Sequence, residues 1–282
     1  MTNMDLLRNS ANRLAIAAIS CISKPMKKGF TLVELSIVLV IIGLLIGGIL
    51  VGQSLIESAK INKVVKEFQQ YEIAVAQFKL KFKYLPGDHP FGHTISSLCT
   101  DSTTCRGNAD GKIYKQVNPP NHLEARNVWY HLQGTKFLNL KLPFTTTGIQ
   151  HSASWVANDN FPESSYAKGA AIMIGSRNSS NGLNVNTNPA DTLDKIVIHI
   201  AKKPDESGFL EHGGFMKPAN ALALDQKIDD GIAKSGNFYA DHGIGGSPMN
   251  CFVGDNTTNA IYDLTYTDDD DGCKILLVLN NL

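Results

Sequence analysis

The sequence lacks the short motifs that mark the common catalytic centres. It contains no HExxH zinc motif, no GxSxG nucleophile turn and no GxxxxGK phosphate loop. Its eight histidines are scattered. His89 and His93 are four residues apart, but Pro90 and Gly92 between them argue against a helical zinc pair. These absences favour a structural or binding role over an enzymatic one.

The chain also lacks a net charge of either sign, because 26 Lys and Arg residues balance 26 Asp and Glu residues. The balance conceals an asymmetry, since residues 1–29 carry a net charge of +4 and the rest of the chain carries −4. This acidic remainder has no Lys/Arg cluster long enough to follow a phosphate backbone. Nucleic acid is therefore not expected as the main partner.

Cysteine is scarce, with five residues in the chain, of which Cys21 lies near the N-terminus. The other four, Cys99, Cys105, Cys251 and Cys273, allow three full pairings. The sequence-local pairings, Cys99 with Cys105 and Cys251 with Cys273, close the shortest loops. An even number of cysteines suits an oxidising compartment, and four free thiols in a reducing compartment are the alternative.

The longest hydrophobic run extends from Leu35 to Ile56 and contains no charged residue in 22 positions. As a helix it would be roughly 33 Å long, enough to cross a hydrocarbon core of about 30 Å. It is longer than the apolar part of a secretory signal peptide, so a retained anchor is expected. Lys24, Lys27 and Lys28 precede it, which favours a cytoplasmic N-terminus and an exported remainder.

Residues 27–35 read KKGFTLVEL. This segment resembles the cleavage and methylation motif of type IV pilins and type II secretion pseudopilins. The resemblance implies that a prepilin peptidase cuts between Gly29 and Phe30 and methylates the new amino group of Phe30. Residues 1–29 would then be a removed leader, or a shorter leader if translation starts at Met26.

Glu34 is a carboxylate near the start of an apolar span, where an ionised side chain is costly and is expected to have a partner. In the pilin-like family, the equivalent carboxylate is thought to neutralise the N-terminal ammonium group of a neighbouring subunit. The resemblance implies this assembly role for Glu34. Family members at the filament tip typically lack this residue, so its presence indicates a subunit joined from above and below.

The fold class expected is α+β: a long N-terminal helix packed on a C-terminal antiparallel β-sheet head with long loops. We expect a transmembrane helix over 30–56, an amphipathic helix over 57–84 and a periplasmic head over 85–282. One apolar stripe marks the amphipathic part, and Pro86-Gly87-Asp88 should end it. The stripe comprises Ile61, Val64, Val65, Phe68, Tyr71, Val75, Phe78 and Phe82.

The head contains apolar runs that predict strands at 170–174, 196–201 and 275–279, and patterns that favour short helices at 123–140 and 219–228. Three further blocks resemble larger pseudopilin-like proteins. They are residues 84–88 (YLPGD), 107–113 (GNADGKI) and 225–231 (DQKIDDG).

Two oxygen-rich segments are candidates for calcium. Asn108 and Asp110 precede Gly111 as in the middle of a calcium loop, but the first ligand position is occupied by Arg106. The second candidate lies between Cys251 and Cys273, and some pseudopilins bind calcium in such C-terminal loops. It consists of Asp268, Asp269, Asp270 and Asp271. Runs of Asp are also typical of solvated turns, so a protein without any cofactor is the alternative.

The expected function is that of a non-catalytic subunit of a membrane-rooted filament, in first place a type II secretion pseudopilus. Its partners would be the prepilin peptidase, other pilin-like subunits through the N-terminal helix, and an inner-membrane assembly platform. A minor pilin of a type IV pilus or a DNA-uptake machine is the alternative within this class. A membrane-anchored extracytoplasmic enzyme or binding domain is the alternative from another class and would need a concave site in the head.

Overall fold

The structure is a computed structural model that describes residues 29–99, 105–114, 124–144, 156–177, 195–202, 213–243, 251–254, 260–266, 272–280 and 282. The chain divides into two units, Met1–Gln53 and Ser54–Leu282. The α+β class is as expected, with a long N-terminal helix and an antiparallel sheet.

Helix α1 covers Leu32–Phe82 in 51 residues. Its part in the first unit is apolar, and the large hydrophobic side chains from Leu32 to Val51 are all exposed. The helix is long and apolar enough to cross a membrane by length and composition. It ends at Phe82, because Lys83 takes a left-handed backbone conformation with φ of 66°. Pro86 follows shortly afterwards, as the breaker signal predicts.

In the second unit, α1 is amphipathic, and the predicted stripe is confirmed. Its buried residues are Ile61, Val64, Phe68, Tyr71, Ala74, Val75 and Phe78. Val65 and Phe82 are half-buried and pack against the same core. Apolar side chains at steps of three and four form one face of the helix, which is why this part packs on a head.

The sheet of the head has four antiparallel strands in the order β1-β2-β6-β3. β1 is Ala170–Ser176, β2 is Ile196–Lys202, β3 is Phe238–His242 and β6 is Cys273–Val278. Side chains in β1, β2 and β6 are buried at nearly every position, so both faces of the sheet are covered. This explains why these strands appear in the sequence as continuous apolar runs.

Short elements surround the sheet. Helix α2 is Gly92–Ile95, α3 is Glu124–Gly134 and α4 is Pro218–Ile228. β4, Phe252–Val253, pairs with β5, Ile261–Tyr262. The sequence located the strands β1, β2 and β6 and the helix α4 within two residues, whereas the helix predicted over 123–140 ends at Gly134. It did not predict β3, β4 or β5.

Candidate functional site

The N-terminal segment of α1 begins with a capping box. The backbone N–H and the hydroxyl of Thr31 both donate to Glu34 Oε2 at 2.8 Å, and the Glu34 N–H donates to Thr31 Oγ1 at 3.2 Å. Reciprocal bonds of this kind satisfy amides that the first turn of a helix leaves without partners. The segment Thr-x-x-Glu at 31–34 is the sequence signal for this cap, and our sequence reasoning did not use it.

This geometry gives Glu34 a partner within its own chain. Its carboxylate also lies at the N-terminal end of α1, where the helix dipole favours negative charge. Gly29 and Phe30 lie just before the helix in non-helical conformation, and Phe30 is 86% exposed. The peptide bond between them therefore lies outside the helix and is exposed, as a cleavage site requires.

Where α1 ends, the turn at Pro86-Gly87-Asp88 is fixed by His131 of α3. The Gly87 N–H donates to His131 Nδ1 at 2.9 Å, and His131 Nε2 donates to the Cys105 carbonyl oxygen at 3.1 Å. The imidazole also stacks on Phe78 of α1, with ring centroids 5.8 Å apart. His131 is fully buried, and burial lowers its pKa to about 4. It therefore holds the helix end, the turn and the loop of residues 105–114 together as a neutral ring.

Asn108 and Asp110 lie on an exposed loop. The Asp110 N–H donates to Asn108 Oδ1 at 3.1 Å, and the Lys112 N–H donates to Asp110 Oδ1 at 2.9 Å. The sequence had no means of showing that two carboxylates from elsewhere join this loop. Asp88 Oδ2 accepts the Gly111 N–H at 2.9 Å, and Glu124 Oε1 accepts the Asn108 N–H at 3.1 Å.

A third acidic group, Asp225, Asp229 and Asp230, has carboxylate oxygens that lie within 4.8 Å of one another. Tyr262 donates its hydroxyl to Asp225 Oδ2 at 2.8 Å, and burial raises the pKa of Asp225 to about 7. Asp229 follows the last residue of α4 and accepts the N–H of Phe238 at 3.0 Å. The carboxylates thus hold the turn that ends α4. The run of residues 268–271 lies outside the described residues.

The structure joins Cys99 to Cys105 and Cys251 to Cys273, the two sequence-local pairings. The first bridge closes a short loop beside the turn that follows α1. The second ties β4 to the start of β6 and so connects the small sheet to the large one. Disulfides in these places are compatible with an oxidising compartment.

One concave region of the second unit is a cavity of about 370 Å³. Lys79 and Lys195 are its charged lining residues, and Leu85, Ile196, Leu279 and Leu282 contribute apolar surface. Its described lining contains no acid, histidine, cysteine or serine that would form a pair for acid–base or nucleophilic catalysis. The cavity therefore gives no chemical support to the enzyme alternative.

The family model described as the prokaryotic N-terminal methylation motif matches residues 24–50. This segment contains the predicted cleavage position, the capping box and the first part of the apolar helix. No curated protein and no solved structure matches the chain. The family match therefore covers only a segment of the first unit, and no comparison covers the head.

Proposed function

We propose that this chain, whose N-terminal segment is that of the type IV pilin-like family, is a structural subunit of a membrane-rooted filament, most specifically of a type II secretion pseudopilus. The observation that carries the proposal is the methylation motif at residues 24–50, which includes the start of an apolar helix with an exposed surface. A prepilin peptidase would cut between Gly29 and Phe30 and methylate the amine of Phe30. The role we propose is non-catalytic.

In the proposed assembly, α1 holds the subunit in the inner membrane as a single span with the head in the periplasm. The apolar side chains exposed along Leu32–Val51 then exchange lipid for the helices of other subunits, with an inner-membrane platform guiding the step. Glu34 would exchange its capping bonds with Thr31 for the ammonium group of a neighbouring Phe30. A charge-assisted bond of this kind is stronger than a bond between neutral groups.

Intact-mass analysis tests the processing step. The full chain is expressed with and without a prepilin peptidase, and the membrane fraction is analysed by mass spectrometry. We expect a product that begins at Phe30 and carries one methyl group only when the peptidase is present. A mass that does not change, or a cut elsewhere such as before Cys21, refutes the proposal.

Two substitutions separate the capping role of Glu34 from its assembly role. Glu34→Gln keeps a side chain suited to a capping box but removes the charge, whereas Thr31→Val removes the capping hydroxyl and keeps the charge. We expect both variants to be cleaved and Glu34→Gln alone to lose at least about tenfold in filament incorporation, since tenfold corresponds to 1.4 kcal/mol. The measurement is the amount of each variant cross-linked to other pilin-like subunits.

If Thr31→Val reduces incorporation as much as Glu34→Gln does, the carboxylate acts through the helix cap and the assigned assembly role is wrong. Normal incorporation of Glu34→Gln leads to the same conclusion.

The acidic remainder of the chain, net −4 beyond residue 29, supports a secretion pseudopilus over a machine that captures DNA. Two disulfides in the head support an exported location. Cross-linking in cells tests the choice: a pseudopilin should cross-link to secretion-system subunits and be absent from sheared surface fibres. Recovery of the chain in the sheared fibres would identify a pilus subunit instead.

A further inference from the structure

The end of α1 carries lysines that the described part of the chain does not neutralise. Lys79 and Lys195 line one cavity, and Lys81 Nζ lies 5.6 Å from the centroid of the Phe137 ring, next to Lys136. None of these lysines forms an ion pair within the residues that the structure describes. We call the group the basic surface; it comprises Lys79, Lys81, Lys83, Lys136 and Lys195.

Apolar side chains lie among these lysines. Leu80 is 73% exposed, and it lines a concave region together with Lys79 and Lys83. Tyr84, one turn further along the chain, is also exposed. A large apolar side chain flanked by cations suits a partner surface that offers both apolar and acidic side chains.

The end of α4 and the small β4–β5 sheet carry the opposite charge. Asp230 lies just after α4, and Asp263 follows β5. Tyr262 of β5 donates its hydroxyl to Asp225 Oδ2 of α4 at 2.8 Å, which holds the two segments together. Asp230 and Asp263 accept amide N–H groups of their own turns, and neither forms an ion pair in the described ranges. Their negative charge is therefore available to a partner.

The small sheet adds apolar surface beside these acids. Val253 and Ile261 lie opposite each other in the β4–β5 pair, and both are exposed. Leu264, which follows shortly after β5, is exposed as well. Neighbouring exposed apolar side chains are typical of interaction sites, whereas isolated ones are normal on any protein. We call the group of Asp230, Val253, Ile261, Asp263 and Leu264 the acidic surface.

The two surfaces lie at different levels along α1. Near the acidic surface, Lys227 Nζ of α4 donates to Asn62 Oδ1 of α1 at 3.0 Å. The basic surface begins at Lys79, 17 positions later on the same helix, which corresponds to roughly 26 Å. Copies anchored side by side in one membrane run parallel, so each surface lies level with its own counterpart. Opposite surfaces meet only when one copy is displaced along α1, which is a head-to-tail contact that repeats from copy to copy.

We propose that the acidic surface of one copy docks on the basic surface of a second copy of this chain, displaced by roughly 26 Å along α1. A second copy is the expected partner because this chain carries both members of a pair that match in charge and in apolar surface. The copy further from the membrane contributes the acidic surface, since Asn62 precedes Lys79 on the helix. This inference rests on the proposed function, because a filament holds copies parallel and displaced along their helices.

Cysteine cross-linking between two differently tagged, full-length copies tests the docking. Both carry Cys21→Ser, because the structure pairs the other four cysteines. One copy carries Leu80→Cys and the other Leu264→Cys, and they are co-expressed with a prepilin peptidase and an inner-membrane assembly platform and oxidised in membranes. We expect a disulfide-linked product that contains both tags. Val156→Cys in place of Leu264→Cys is the control at an exposed position outside both surfaces, and it should give at least about tenfold less product.

Charge exchange tests whether the contact is electrostatic. Lys83→Glu in the Leu80→Cys copy should lower the yield about fivefold, since it replaces attraction by repulsion. Asp230→Lys in the Leu264→Cys copy should do the same, and the two changes together should restore the yield. Lys168→Glu, at an exposed lysine outside both surfaces, is the matched control and should leave the yield unchanged. Raising the salt from 0.1 M to 1 M shortens the screening length from about 10 Å to about 3 Å and should also lower the yield.

Equal yields in the Leu264→Cys and Val156→Cys pairs would overturn the docking, and so would a yield that Lys83→Glu does not change. Linkage of Leu80→Cys to Leu80→Cys in preference to Leu264→Cys would show that like surfaces meet, which also contradicts the proposal. Mass analysis of the same membranes keeps the proposed function separate. Cleavage after Gly29 without the cross-link refutes the docking alone, whereas the cross-link without cleavage supports the docking and refutes the proposed processing.

Discussion

The two parts of helix α1 differ in what covers them, although they form one continuous element. From Leu32 to Val51 every large hydrophobic side chain is exposed, and Leu44 is 73% exposed. From Ile61 to Phe78 one stripe of side chains is buried against the chain's own sheet and helices. Under the proposed function, lipid or other subunits cover the first part, whereas the head of the same chain covers the second.

The difference shows which interactions fix each part. In the first part, the capping box of Thr31 and Glu34 satisfies the helix start. The large apolar side chains there are exposed, so side-chain packing within the chain contributes little to the stability of this part. In the second, Glu57 and Glu67 add polar bonds to the apolar stripe: Tyr166 donates its hydroxyl to Glu57 Oε1 at 2.9 Å, and the Ser165 N–H donates to Glu67 Oε1 at 3.1 Å. Stability and assembly are therefore expected to depend on different halves of the same helix.

The largest expected effect comes from removing one buried side chain of the second half. Phe78 is fully buried between His131 and Phe82, so Phe78→Ala leaves a cavity and should lower the free energy of unfolding of the head by about 3 to 5 kcal/mol. Leu45→Ala, at a position that is 60% exposed in the first half, is the control and should change it by less than about 0.5 kcal/mol. Urea unfolding in detergent measures both.

Equal losses in the two variants would contradict the division of α1, because they would mean that the first half also stabilises the head.

A smaller effect is the pH dependence of stability that comes from His131, which packs against the second half of α1. The pKa of His131 is lowered from 6.5 to about 4, so between these values the unfolded chain binds a proton that the folded chain does not. The contribution of neutral His131 to the free energy of unfolding is fully present above pH 6.5 and is lost as the pH falls toward 4. Between pH 7 and pH 5 the loss amounts to about 2 kcal/mol, at 1.36 kcal/mol per pH unit.

His131→Asn isolates this contribution, since Asn does not titrate and the other groups are shared. The variant should be less stable at pH 7, and its difference from the original chain should shrink by about 2 kcal/mol at pH 5. Urea unfolding at both pH values provides the measurement. A difference that is constant with pH would show that His131 titrates alike in the folded and unfolded chain.

The sequence predicted the parts of the fold that depend on local patterns. The apolar stripe of α1 and the breaker at Pro86 follow from spacing alone, and spacing favoured the two local cysteine pairs among three possible pairings. Strand β3 could not be predicted in this way, because a segment that contains Asp241 lacks the apolar pattern of a buried strand. Its carboxylate is satisfied only in three dimensions, by the Nζ atoms of Lys234 at 2.8 Å and Lys274 at 3.6 Å.

The candidate sites follow the same rule. Gly29, Phe30 and Glu34 lie within one short segment, so a motif can indicate them. Asp88 and Glu124 reach the loop at Asn108 only through folding, and the separation of 16 to 23 residues along the chain conceals them. Tyr262 and Asp225 are 37 residues apart and equally hidden. A sequence pattern indicates sites whose groups are neighbours in the chain, whereas long-range groups need the fold.

The smallest effect locates the boundary between the two halves of α1. Glu57 bonds to the Tyr166 hydroxyl, and Lys60 lies over the Tyr166 ring at 5.5 Å. Tyr166→Phe keeps the ring and removes the hydroxyl bond, so it should cost about 1 kcal/mol of head stability and increase amide hydrogen exchange around Glu57. Tyr84→Phe, at a ring that is 37% exposed, is the control and should change neither quantity. If exchange around Glu57 stays the same in Tyr166→Phe, the packed half of α1 begins nearer Ile61, where the apolar stripe starts, and the hydroxyl bond does not extend it toward the membrane.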